Sequence, residues 1–172
     1  IDGNIYKTIT FVISAYYTNI TTIQTWMAEN LKVTHYNDGS EIPTGYSNSE
    51  WAELETGAYA VYPTDSPDDN SDASETTCGD DCADVYGNLY NWYVVDDDRG
   101  LCPDGWHVPS DDEWMILIDY IEITYNLAFY SAWGSFAGAY MKSTGTIEGG
   151  DGLWYSPNGG ATHESGFTVL PG

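Results

Sequence analysis

A domain that mixes β-strand with α-helix is what this sequence predicts, and three stretches predict it. From residue 8 to residue 18 apolar and polar side chains alternate, as they do along a strand with one buried face. At Ser110 the signals of a helix start converge. Beyond the helix, Gly134, Gly138, Gly145, Gly149, Gly150, Gly152, Gly159 and Gly160 break the chain into loops and short strands.

In the first stretch Ile9, Phe11, Ile13, Ala15 and Tyr17 share one side of an extended chain, and Thr8, Thr10, Ser14 and Thr18 share the other. Val12 and Tyr16 are the exceptions. No charged residue occurs from Thr8 to Ala28. A membrane span is excluded, because Thr8, Thr10, Ser14, Thr18, Asn19, Thr21, Thr22, Gln24 and Thr25 dilute the run and no signal-peptide pattern flanks it. Two readings of the strand stay open: an edge strand packed on its own domain, or a segment offered to another chain.

The next stretch, "QTWMAENLKV" from Gln24 to Val33, fits a short helix or a strand. Asn37-Asp38-Gly39 marks a turn, and Ile42-Pro43 opens a loop. Residues 63–84, "PTDSPDDNSDASETTCGDDCAD", read as an acidic surface loop, since aromatic sequence resumes at Tyr86, Leu89, Tyr90, Trp92 and Tyr93. The helix follows Pro109: Ser110 and Glu113 form a capping box, Asp111 and Asp112 favour the positive end of the helix dipole, and Trp114, Leu117, Ile118 and Ile121 share one face.

The 172 residues suffice for one domain, and the chain opens on Ile1 rather than Met, which reads as a processed or partial product. Twenty-seven acidic residues oppose Lys7, Lys32, Arg99 and Lys142, for a formal charge of -23. That balance excludes nucleic acid and anionic membrane as partners and favours cations. Fifteen Tyr and seven Trp among abundant Gly, Asn, Thr and Ser point to an extracellular or cell-surface protein. Asn19-Ile20-Thr21 is the sole N-glycosylation sequon.

Three cysteines leave one thiol over. Cys78 and Cys82 enclose only Gly79, Asp80 and Asp81, and we read them as a small disulfide ring. Zinc is disfavoured because His35, His107 and His163 are scattered. Calcium is the expected metal, if any: Asp68, Asn70 and Asp72 match the first ligand positions of an EF-hand loop, although Ala73 replaces the turn glycine and Gly79 the bidentate glutamate.

The stretches "IDGNIYKT", "QTWMAENLKV", "YGNLYNWYVV", "RGLCPDGWHVPSDDEW" and "SPNGGATHESGFTVLPG" occur in this order and resemble the Fibrobacter succinogenes major paralogous domain family. "GWHVPSDDEW" is more distantly similar to formylglycine-generating enzymes and the C-type-lectin-like fold. The resemblance implies an α+β domain with a twisted, mainly antiparallel sheet, one or two helices and long loops. It also implies a secreted or surface module of bacteria with no catalytic role.

Two departures from the family pattern stand out. Residues 9–23 are inserted or rewritten, which divides the chain into an extended segment at 1–23 and the family domain at 24–172. Relatives also continue past "GFTVLPG", so the ending at Gly172 implies an incomplete sheet. Together these lead to the expectation of a self-assembling extracellular filament or surface layer. Its strand at Ile9, Phe11, Ile13, Ala15 and Tyr17 would be donated from each copy to the next.

Two other functions compete. A carbohydrate-binding or adhesive module would use Trp92, Tyr93, Trp106, Trp154 and Tyr155 as stacking faces for glycans, although the sugar-binding tripeptides of calcium-dependent lectins are absent. An enzyme would need Cys102 and His107 as a thiol-imidazole pair, but their place in a turn leading to the helix favours a structural role. The expected protein is therefore non-catalytic.

Overall fold

The computed structural model describes residues 3–14, 21–61, 82–127 and 136–171. It is a mixed α and β protein, with two small antiparallel sheets and five helices among the described residues. The chain divides into two compact units, one of residues 1–5 and 30–108 and the other of residues 6–29 and 109–171.

The second unit contains the hairpin of β1 (Thr8–Ser14) and β2 (Thr21–Met27). Their antiparallel register places Ile9 opposite Trp26, Phe11 opposite Gln24 and Ile13 opposite Thr22. These pairs face the core, where Phe11 and Trp26 are buried and Ile9 and Ile13 partly so. Gln24 is the polar intruder on that face, and both ends of its amide are occupied. Its Nε2 donates to the Glu113 carbonyl at 3.3 Å, and its Oε1 accepts from Trp26 Nε1 at 3.2 Å, which offsets the cost of removing the amide from water.

The hairpin core packs on α4 (Asp111–Thr124) and α5 (Ala137–Met141). The predicted capping box starts α4: Glu113 N–H donates to Ser110 Oγ at 3.3 Å, and Ser110 N–H donates to Glu113 Oε2 at 2.8 Å. Leu117 and Ile121 are fully buried, and Trp114 and Ile118 pack against the same cluster. Trp114 lies 4.6 Å from Trp26 between ring centroids, and Phe167 meets both indoles edge-on at 5.7 Å. The helix stops at Tyr125 and Asn126. Leu127 N–H reaches back to the Glu122 carbonyl and Asn126 N–H to that of Ile123, the two bonds of a Schellman ending.

The first unit has α1 (Asn48–Ala52), β3 (Tyr59–Val61), α2 (Cys82–Tyr86), β4 (Asn88–Tyr90) and α3 (Trp92–Val95). Strands β3 and β4 pair antiparallel. Val33, Tyr36, Ile42, Val94 and Leu101 form the core. The turn at Asn37-Asp38-Gly39 is present, with Gly39 at φ +86 and Ser40 N–H donating to Asp38 Oδ1 at 2.8 Å. Arg99 clasps this turn. Its Nε and Nη2 bond both carboxylate oxygens of Asp97 at 2.8 and 2.7 Å, its Nη1 donates to Ser40 Oγ at 3.0 Å, and its guanidinium covers the Tyr36 ring at 3.7 Å.

One expectation changes and one open choice is decided. In place of one twisted sheet and one or two helices, the described residues hold two short sheets and five helices, four of which are of five residues or fewer. The ambiguous stretch after residue 24 is a strand as far as Met27, not a helix. Of the segment at 1–23, the described residues include β1. Its strand folds back on β2, and Phe11 enters the core of its own unit because alternation gives it an apolar face that β2 and α4 can cover.

Candidate interaction surface

The outward face of the hairpin is built by the same alternation that fills the core. Thr8, Thr10, Val12 and Ser14 on β1 stand opposite Met27, Thr25, Ile23 and Thr21 on β2. The hydroxyls of Thr10 and Thr25 share a hydrogen bond at 3.0 Å, and those of Ser14 and Thr21 approach to 3.4 Å. Between these pairs Val12 and Ile23 face each other, 57% and 66% exposed. Val12, an exception to the polar pattern of its side, remains outside because the pleat leaves it no choice. Among the described residues each strand pairs only with the other. No Lys, Arg, Asp, Glu or Pro occurs from Thr8 to Ala28, so the side chains that usually block edge pairing are missing.

Ile9, Phe11 and Ile13 of the predicted assembly strand therefore come together, but on the core side. Ala15, Tyr17 and the sequon residue Asn19 lie outside the described residues, as do the calcium candidates Asp68, Asn70 and Asp72. Among the described residues no group of three His, Cys, Asp or Glu could hold a metal ion. Cys82 is disulfide-bonded and Cys102 is a free thiol, whereas Cys78 lies outside the described residues.

The Cys102 thiol is half-buried, and burial raises its pKa above the ordinary cysteine value. A nucleophilic cysteine needs the opposite shift, toward thiolate. The aromatic candidates separate by exposure: Trp106 is half-buried, and the half-buried Trp154 has Lys142 Nζ 4.0 Å from its ring centroid, so one of its faces is taken. Trp92, Tyr93 and Tyr155 are exposed. No described helix is long and apolar enough to cross a membrane.

The capping signal at Ser47 and Glu50 and the clasp at Arg99 were not anticipated. The first has a sequence signature, Ser-x-x-Glu, identical to that of α4; the second joins residues 59 positions apart and has none.

Fold and surface together define a mixed α and β module with an uncharged hairpin face. The model of the Fibrobacter succinogenes major domain matches residues 21–172, and the chain belongs to that family. The match begins at the first residue of β2, so β1 precedes it. Neither the curated proteins nor the solved structures contain a match to this chain.

Proposed function

We propose that the protein is a non-catalytic, extracellular structural subunit that assembles with copies of itself into a filament or surface layer through its β1–β2 hairpin. We also propose that its fold is C-type-lectin-like, on the strength of the "GWHVPSDDEW" entry into α4. The observation that carries the function is the uncharged two-stranded hairpin on a chain of charge -23, with Val12 and Ile23 outward. Two copies of so acidic a protein repel one another, and a surface free of carboxylates lets them approach. Strand donation gives way to edge pairing in this reading, because releasing β1 would expose Phe11 and open the core. Pairing of β1 in one copy with β2 in the next is heterologous and grows into a filament when its rotation does not close a ring, whereas β1 with β1 closes a dimer.

Negative-stain electron microscopy of the wild type and of Ile23→Lys tests the proposal. Fibres or sheets from the wild type and single particles from the variant are expected. Discrete particles from the wild type at every concentration, or identical polymers from both, would rule it out.

The second reading, a carbohydrate-binding or adhesive module, is favoured by the exposure of Trp92 and Tyr155. Its test is binding to a glycan array, with loss in Trp92→Ala or Tyr155→Ala.

A further inference from the structure

We propose that the exposed side of α3 docks a basic peptide segment of another protein, with the Trp92 indole receiving a lysine or arginine and Asp96 pairing with the next positive charge. The local geometry creates the surface. Asn91 caps α3, its side chain accepting from Val94 N–H at 3.2 Å, and Asp96 N–H donates to the Trp92 carbonyl at 3.0 Å. One helical turn therefore separates Trp92 from Asp96 and sets their side chains on one side. Val94 faces inward and is fully buried, while Trp92 is 67% and Tyr93 44% exposed. Leu89, three residues before Trp92, is 46% exposed. Leu89, Trp92 and Tyr93 thus leave exposed apolar surface within five consecutive residues.

Charge selects the occupant. The chain's four cationic side chains are all engaged internally. Lys7 pairs with Glu29 at 2.9 Å, Lys32 with Asp84, Arg99 with Asp97, and Lys142 lies over Trp154. Asp97 is committed to Arg99, but Asp96 and Asp98 are exposed beside α3. A cation gains from both the face of an indole and a carboxylate one turn away, whereas a neutral segment gains from the indole alone and an acidic one is repelled by the carboxylates. This surface belongs to the first unit and does not depend on self-assembly through the hairpin.

Isothermal titration of the whole chain with tetralysine and with its Nε-acetylated form, in about 150 mM salt to screen the general field, tests the inference. Tetralysine binding is expected to weaken about tenfold in Trp92→Ala, to weaken in Asp96→Asn, and to survive largely in Trp92→Phe, with the acetylated peptide failing to bind. Thermal unfolding of each variant should match the wild type, because the altered side chains are exposed. Equal tetralysine affinity in Trp92→Ala, or equal binding of the acetylated peptide, would overturn it. So would cellohexaose binding that depends on Trp92 when tetralysine does not bind, since the surface would then be a sugar platform.

Discussion

The ring of Phe11 meets that of Tyr120 edge-on, with centroids 5.6 Å apart and planes at 63°. This contact ties the leading strand to the main helix of the same chain. Phe11 is one of the buried residues of the second unit's core, alongside Leu117 and Ile121. We expect Phe11→Ala to cost about 3–5 kcal/mol, the range for truncating a buried phenylalanine. Urea unfolding of the monomer measures it. A cost under about 1 kcal/mol, typical of a surface site, would mean that the strand is not part of its own core and would restore donation.

Asn126 ends α4 in the left-handed region, at φ 52, where a side chain is usually strained and Asn and Gly are tolerated. Asn126→Ala should destabilise by about 1 kcal/mol, while Asn126→Gly should be neutral or slightly stabilising. Thermal unfolding separates the two. Equal losses in both would show that the asparagine side chain, and not its backbone, holds the helix end.

Stability should fall in acid, and the Arg99 clasp accounts for part of the fall. The hydrogen bonds from the Arg99 guanidinium hold the Asp97 carboxyl well below the usual carboxylate range, at about 2. A group depressed in the folded state stabilises fully above its unfolded pKa, near 4, and loses that contribution as pH drops toward 2. Asp38 is lowered by its bonds from Ser40 and Glu50 by those from Ser47, so both act in the same direction. The urea midpoint should therefore decline between about pH 5 and pH 2, and less steeply in Asp97→Asn. Parallel declines in the two proteins would contradict this assignment.

What could be read from the sequence was local. The start of α4 was legible because its cap, its acidic first turn and its apolar spacing all lie within twelve residues. β1 was legible because alternation needs only one strand. Its partner was not: β2 turns Gln24 inward and Ile23 outward, against their polarity, so the pattern alone could not separate strand from helix. Whether β1 paired within its chain or beyond it depended on that missing register. α1 carries a capping box, but five residues are too few to show a helical period. The composition of "NWYVV" likewise cannot say that Val94 goes inside and Trp92 stays out, since all four residues after Asn91 are apolar or aromatic. The Arg99 clasp depends on contacts distant in sequence, which only the folded chain assembles.

Amide hydrogen exchange at β1 and β2, compared between a dilute and a concentrated sample, tests self-pairing of the hairpin most directly. Amides along the open edges of Thr8–Ser14 and Thr21–Met27 are expected to gain protection on concentration, while those of α4 do not change. Hairpin protection that stays the same as the protein concentrates would contradict it.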